Sequence, residues 1–277
     1  MITKNYIAKG EGANRFEKIP VQIYETADEA VKAVAREIVD LVQTKAASSE
    51  KCVLGLATGV SPIKLYQELV RMHREEGVSF RNVVTFNLDE YLPMPKESEQ
   101  SYHYFMHHHL FDHIDIDPKN IHIPDGTLEG DEIDKFCRNY EKAIEAAGGI
   151  DLQILGIGRT GHIGFNEPGS FITSQTRKVF LNDLTIKDAI KDFGSRNLVP
   201  TKAITMGVGT IMQARRVILM AWGEKKAPII KATVEGRVSD SVPATFLQMH
   251  SNVQFVIDES AASELTRADY PWLVSKV

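Results

Sequence analysis

The sequence is poor in cysteine and contains no long apolar run. Its two cysteines, Cys52 and Cys137, are too few for a disulfide framework. We therefore expect free thiols in a reducing compartment, and a cytoplasmic protein. No apolar stretch approaches the roughly 20 residues that span a bilayer. Residues 1–15 are polar and lack the apolar core of a secretory signal, so the sequence predicts neither secretion nor a membrane partner.

An excess of positive charge is also lacking. The 277 residues include 32 lysines and arginines against 37 acidic residues, which gives a formal net charge of −5. Such a chain has no electrostatic footprint for nucleic acid or for an anionic membrane. An anionic ligand must therefore be held by a local group of residues. Hydrophobic residues make up 43% and charged residues 25%, as is usual for a globular protein.

Short apolar runs alternate with longer amphipathic segments along the chain. The runs at 21–24, 53–57, 83–86, 152–157, 203–206, 217–221 and 253–257 predict strands. Helices are predicted over 27–44, from a first turn that holds Pro62, and over 101–111, 131–147, 225–234 and 261–267. This alternation predicts one α/β domain over residues 1–277, with a Rossmann-like, doubly wound, mostly parallel sheet flanked by helices.

In such sheets the ligand crevice lies beyond the carboxyl ends of the strands. The first strand-end loop, residues 58–61, offers backbone N–H groups and the hydroxyls of Thr58 and Ser61 as a phosphate cradle. It lacks the lysine and the spacing of a P-loop. An ordinary turn with Ser61 as helix N-cap is the alternative. Lys225 and Lys226, at a later strand–helix junction, either balance a phosphate charge or mark an exposed helix start.

Two further strand ends carry groups suited to proton transfer. Asp89 and Glu90 are adjacent, so one can act as a general base while the other bonds neighbouring backbone; a solvated acidic turn is the alternative. A glycine-rich loop over residues 156–168 holds His162 and Glu167. An imidazole oriented by a carboxylate is a suitable proton shuttle for opening a sugar ring. A core histidine beside a capping glutamate is the alternative.

A histidine-rich helix raises the question of a metal site. His103 and His107 lie one helical turn apart and could bind a metal ion. No cysteine lies nearby, and the HExxH pattern is missing. We favour a partly solvated amphipathic helix and expect no metal.

Taken together and in this order, the motifs resemble those of the glucosamine-6-phosphate deaminase family, which includes glucosamine- and galactosamine-6-phosphate isomerases. The resemblance covers roughly residues 20 to 258 through the segments LATGVSP, FNLDEY, QSYHYFM, GHIGFNEPGS, ITMGVGT, GEKKA, VEGRVS and PATFLQMH. GHIGFNEP together with FNLDEY is a specific combination. The neighbouring 6-phosphogluconolactonases do not usually carry the FNEP extension.

The resemblance implies an enzyme of amino-sugar catabolism that converts glucosamine 6-phosphate to fructose 6-phosphate and ammonia without a metal or organic cofactor. Asp89 would move a proton between C2 and C1, and His162, oriented by Glu167, would help open the sugar ring. The 6-phosphate would be held by Thr58, Gly59, Val60, Ser61 and Lys226. The alternatives are a galactosamine-6-phosphate deaminase/isomerase, a lactonase acting on 6-phosphogluconolactone, and a catalytically weak sugar-phosphate sensor.

The sequence departs from the family pattern at the site itself. Thr160 stands where the family usually has an aspartate that completes a ring-opening triad. Its hydroxyl can hydrogen-bond the imidazole but carries no negative charge. A phosphate-binding arginine of the family falls between 187 and 196, where Lys191 and Arg196 are both candidates. The family includes hexamers and monomers, and the sequence leaves open whether this chain forms a homo-oligomer.

The effector site of the family's allosteric members is only partly matched. Ser170 and Arg177 match it, whereas Val179 stands where a lysine is expected. Because charge-assisted contacts are the strong ones in anion binding, we predict little or no activation by an N-acetylaminosugar phosphate. Initial rates measured with and without N-acetylglucosamine 6-phosphate check this, and strong activation would contradict it.

Overall fold

Ten strands and eight α-helices make up the part of the chain that the computed structural model describes, residues 16–269. The strands are β1 (Val21–Tyr24), β2 (Cys52–Leu56), β3 (Val83–Asn87), β4 (Asp89–Leu92), β5 (Ile121–His122), β6 (Leu152–Leu155), β7 (Arg177–Phe180), β8 (Lys202–Thr205), β9 (Arg216–Ala221) and β10 (Val253–Asp258). The helices are α1 (Ala27–Ala47), α2 (Val60–Glu76), α3 (Tyr102–His109), α4 (Asp131–Ala146), α5 (Asp183–Phe193), α6 (Val208–Met212), α7 (Ala227–Glu235) and α8 (Thr266–Asp269). None of these helices is long and apolar enough to cross a membrane. Segment 1–15, for which no secretory signal was predicted, lies outside the described residues.

Local signals in the sequence set the helix boundaries. Thr26 caps α1 by accepting a hydrogen bond from the backbone N–H of Glu29 (3.3 Å). Ser101 caps α3 in the same way, with the N–H of Tyr104 as donor (2.9 Å). Gly77 ends α2 in the left-handed conformation, with φ at 73°. These helices lie where the sequence predicts them.

Seven strands form a parallel sheet in the order β1-β10-β9-β6-β2-β3-β5. Its central strands are buried on both faces, as expected for a sheet flanked by helices on both sides. One apolar layer packs the sheet against α1, α2 and α3, and the other packs it against α4, α6 and α7. The predicted α/β fold with a mostly parallel sheet is therefore confirmed.

The strand order reverses between β2 and β6. From β2 the chain builds outward through β3 to β5, and from β6 it builds in the opposite direction through β9 to β10. Such a switch point opens a crevice at the carboxyl ends of the strands. The loops after β2, β6, β3 and β9 therefore lie side by side along one edge of the sheet, and they are the four loops that the sequence marks as chemically unusual.

A second, smaller sheet of three antiparallel strands stands beside the crevice, in the order β4-β8-β7. Leu88 alone separates β3 from β4, and its carbonyl accepts a hydrogen bond from the N–H of Met206 (2.6 Å). The run at 203–206, predicted as a strand of the doubly wound sheet, forms β8 of this small sheet instead. A short apolar run carries no information about its pairing partner, which is why the second sheet was not predicted.

Two other segments differ from the prediction. Residues 183–193, within a stretch read only as polar, form α5, whose N-cap Asn182 accepts a hydrogen bond from the N–H of Leu184 (2.8 Å). The helix predicted over 261–267 is mostly turn, and α8 begins only at Thr266. There the Asp258 carboxylate accepts the N–H of Ala261 (2.8 Å) and holds the turn.

Candidate active site

The loop between β2 and α2 presents backbone N–H groups to the crevice. Helix α2 begins at Val60 with Gly59 as its N-cap, and no side chain caps this turn. The alternative reading of Ser61 as N-cap is therefore wrong. Gly59 has φ at 101°, a backbone conformation that residues with a Cβ atom rarely adopt. Since the first turn has no side-chain acceptor, its N–H groups remain available to an anion.

Lys226 lies at the neighbouring junction between β9 and α7. Burial lowers its pKa, and its Nζ donates a hydrogen bond to the carbonyl of Ile157 (2.7 Å). The indole of Trp222 donates to the carbonyl of Ser61 (3.2 Å) and so joins this junction to the β2–α2 loop. A lysine and a set of free N–H groups therefore border the same part of the crevice.

The two candidates for a second phosphate cation are placed differently. Burial is the main cause of the lowered Lys226 pKa; the charge of Asp188 acts to raise it, and the charges of Arg159 and Lys191 lower it further. Arg196 pairs with Asp183, with Nη2 and Oδ1 2.8 Å apart. Lys191 lies on α5 at an exposed position.

Asp89 and Glu90 are both buried, but they make different contacts. Glu90 Oε1 accepts the N–H groups of Tyr91 (2.9 Å) and Tyr102 (3.0 Å), and its Oε2 accepts that of His103 (3.0 Å). Burial raises the pKa of Glu90 to about 7, although these three hydrogen bonds act to lower it. Glu90 is thus occupied with the start of α3, which leaves Asp89 as the acid available for chemistry.

Asp89 is an acid without a compensating cation among the described residues. It is 5% exposed, and burial together with the charge of Glu90 raises its pKa to about 8. A carboxylate of this basicity is well matched to a general base at neutral pH.

The glycine-rich loop after β6 lies directly against Asp89. A Cβ atom at Gly164 would lie 2.9 Å from Thr205 Oγ1 and 3.2 Å from Asp89 Oδ2, and Gly164 has φ at 57°. The Thr205 hydroxyl accepts the N–H of Phe165 (3.0 Å), which ties the loop to β8. Glycine at 164 therefore permits the close approach of this loop to the buried acid.

His162, Thr160 and Glu167 form one hydrogen-bonded group within this loop. His162 Nδ1 lies 3.2 Å from Glu167 Oε2 and 3.0 Å from Thr160 Oγ1, and Thr160 donates to the same Glu167 oxygen (3.0 Å). The ring packs on Gly158, where a Cβ atom would clash with the imidazole. With Nδ1–H directed at the carboxylate, Nε2 carries the lone pair that can exchange a proton.

Glu167 receives a further hydrogen bond that the sequence did not indicate. Burial acts to raise the pKa of Glu167, but the hydrogen bond and charge of His162, with the hydroxyls of Thr185 and Thr160, bring it below its ordinary value. Thr185 comes from α5 and donates to Glu167 Oε1. Because α5 was not predicted, its contribution to the site could not be foreseen.

An aromatic cluster, also missed, packs beside Asp89. The ring of Tyr91 lies 5.0 Å from that of Tyr102, 5.3 Å from Phe165 and 5.2 Å from Phe193, measured between centroids. These rings come from β4, α3, the glycine-rich loop and α5. The cluster thus joins four separate segments around Tyr91, two residues after Asp89 on β4.

Ser170 and Arg177, the matched part of the effector site, are neighbours. Arg177 Nη2 donates to Ser170 Oγ (3.3 Å), and Nη1 donates to Asn166 Oδ1 (2.9 Å). Burial lowers the pKa of Arg177. The guanidinium is thus already engaged by its own chain.

The histidine side chains of α3 and the two cysteines take no part in the contacts described above. His103 stacks on His107 with centroids 4.5 Å apart, and His107 Nδ1 lies 2.7 Å from Asp112 Oδ1. Across residues 16–269, histidine, cysteine and acidic side chains form no group of three or more that could hold a metal ion. Cys52 and Cys137 are free thiols and are buried.

Comparison with known proteins places this architecture in one family. The family described as glucosamine-6-phosphate isomerases/6-phosphogluconolactonase matches residues 25–256. Since the match spans most of the chain, this protein belongs to that family.

Individual relatives agree with the family match. A glucosamine-6-phosphate deaminase of Thermoanaerobacter sp. (strain X514) is 46% identical over 85% of this chain and 92% of its own length. A glucosamine-6-phosphate deaminase-like protein of Bacteroides thetaiotaomicron is 48% identical over 94% of this chain, which spans only 39% of that longer protein.

Solved structures share the fold. That of a monomeric glucosamine-6-phosphate deaminase has a TM-score of 0.85 and 40% identity, covering 89% of this chain and all of its own. A 6-phosphogluconolactonase from Trypanosoma brucei has a TM-score of 0.72 at 21% identity, covering 90% of this chain and all of its own. The second likeness is one of fold alone.

The raised pKa of Asp89 makes a testable contribution to stability. Between pH 4 and pH 8 the folded protein keeps a proton on Asp89 that the unfolded chain has released, so the free energy of unfolding falls as pH rises. The Asp89→Asn variant loses this dependence. Relative to wild type it should gain stability from pH 5 to pH 8, by at most about 1.4 kcal/mol per pH unit.

Urea unfolding of both proteins at pH 5 and pH 8 measures this difference. The Asp40→Asn variant is the matched control, since Asp40 is exposed on α1. A stability difference between wild type and Asp89→Asn that stays constant with pH would show that Asp89 does not titrate as described.

Proposed function

We propose that this protein converts glucosamine 6-phosphate and water to fructose 6-phosphate and ammonia. The observation that carries the proposal is the placement of the basic, buried carboxyl of Asp89 against the loop that holds His162 and Glu167. The reaction needs two separate proton-transfer groups, one for the ring and one for the carbon skeleton. Two of the relatives compared above, both named as glucosamine-6-phosphate deaminases, support the same activity.

Ring opening is assigned to His162. Its Nε2 lone pair takes the proton of the C1 hydroxyl, and the imidazolium formed returns a proton to the ring oxygen as the C1–O5 bond breaks. Glu167, ionised and hydrogen-bonded at Nδ1, stabilises the imidazolium between these two transfers. The products of this step are the open-chain aldehyde and the neutral histidine.

Isomerisation is assigned to Asp89. Its carboxylate takes the proton from C2 while the aldehyde oxygen takes one from the protonated amino group of the substrate, which gives a neutral enolamine, and Asp89 then returns its proton to C1. The resulting imine at C2 adds water and releases ammonia, which leaves the ketone of fructose 6-phosphate. Every step is a proton transfer or a hydrolysis, so acid–base side chains suffice.

The phosphate is assigned to the neighbouring loops. The N–H groups of Gly59, Val60 and Ser61, with the hydroxyls of Thr58 and Ser61, surround the 6-phosphate as donors. Lys226 and Lys191 supply positive charge on the other side. Fixing the phosphate places C1 and C2 at a set distance from Asp89.

Thr160 replaces the family's usual aspartate without breaking the network. Its hydroxyl bonds both His162 and Glu167, so Glu167 provides the only negative charge next to the imidazole among the described residues of this loop. We infer that one carboxylate suffices to orient the ring. The proposal also places the reaction in cytoplasmic amino-sugar catabolism, where the buried thiols stay reduced.

Ammonia release from purified protein tests the proposal. Glucosamine 6-phosphate should be turned over, and the Asp89→Asn variant should be slower by about 10²- to 10⁴-fold because the general base is lost. Asp40→Asn, which makes the same chemical change on an exposed helix position, should retain the wild-type rate.

The same assay separates the competing functions. Ammonia from galactosamine 6-phosphate alone would indicate the C4 epimer as substrate. Hydrolysis of 6-phosphogluconolactone without ammonia from either amino sugar would indicate a lactonase. Binding of the amino sugars without turnover would indicate a sensor, and each of these three results would overturn the proposal.

A further inference from the structure

Helix α5 makes polar contacts with the glycine-rich loop through the side chains of Thr185 and Asp188. Thr185 Oγ1 donates to Glu167 Oε1, while Arg159 donates to Asp188 through Nε (2.9 Å) and Nη2 (2.7 Å). Arg159 and Asp188 are each about half exposed, and ion pairs at such positions contribute little to stability. Thr185 is buried, so its hydrogen bond is the contact that fixes side-chain orientation.

The two oxygens of Glu167 have different partners. Oε2 faces His162 Nδ1 and the Thr160 hydroxyl, and among the described residues Oε1 accepts a hydrogen bond from Thr185 alone. Rotation about the terminal bond of a glutamate is otherwise broad and roughly two-fold. The Thr185 hydroxyl therefore holds the carboxylate in the plane that directs Oε2 at the imidazole.

We propose that Thr185 is a positioning residue whose hydroxyl orients Glu167 toward His162. The His162–Glu167 pair is then aligned only when α5 is held against the glycine-rich loop. The inference rests on the proposed function for the identity of the substrate.

Kinetics of three variants with glucosamine 6-phosphate test the role. Thr185→Val keeps the volume and removes the hydroxyl, and it should lower kcat by about 10- to 100-fold with little change in KM. Thr185→Ser keeps the hydroxyl and should restore kcat to within about threefold of wild type. Lys187→Ala, at an exposed position of the same helix, is the control and should match wild type.

A substrate-free measurement separates this inference from the proposed function. The Nδ1–H proton of His162, observed by NMR in the protein alone, should be lost or strongly shifted in Thr185→Val and retained in Thr185→Ser. Thr185→Ala gives the same comparison if the valine variant does not fold. An unchanged kcat or an unchanged His162 signal in the valine or alanine variant overturns the inference, as does a serine variant as impaired as the valine variant. No ammonia from wild type overturns the proposed function instead, and the NMR comparison still decides the role of Thr185.

Discussion

The buried carboxyl of Asp89 is the constraint on which the rest of the site depends. A buried acid beside the charge of Glu90, with no compensating cation in the described part of the chain, is costly to ionise, and the surrounding backbone must hold it in place. Pairing of β4 with β8 and the bonds of Glu90 to α3 do this. The high pKa makes Asp89 a strong base, and the amino group of a bound substrate, when protonated, would favour its charged form.

The two sheets position different parts of the candidate site. The parallel sheet brings four loops to one edge, among them the loop proposed to bind phosphate, the junction that holds Lys226 and the glycine-rich loop. The small antiparallel sheet begins at Asp89 and ends at β7, after which the chain enters α5. Asp89 and Thr185 therefore both depend on the smaller sheet and its connection. A substitution that disturbs β8 should affect the placement of both residues.

Much of this arrangement could be predicted from sequence, for physical reasons that also explain the failures. Asp89 begins a strand just after one buried apolar run, and His162 and Glu167 stand in the loop after another; ligands of open α/β sheets bind at such strand ends. The different contacts of Asp89 and Glu90 depend on α3, and the hydrogen bond to Glu167 Oε1 depends on α5, both through long-range contacts. Apolar residues at positions 186, 189, 190 and 193 have the spacing of a helix, but the many polar residues between them made this spacing hard to recognise.

The central claim is that a single buried base moves the proton from C2 to C1. Turnover of glucosamine 6-phosphate in D₂O, with NMR of the fructose 6-phosphate formed, tests it most directly. Asp89 acting from one face of the enolamine predicts that all deuterium introduced at C1 occupies the same one of its two positions. Deuterium distributed equally over both positions, or ammonia released with the C2–H bond intact, would contradict the account.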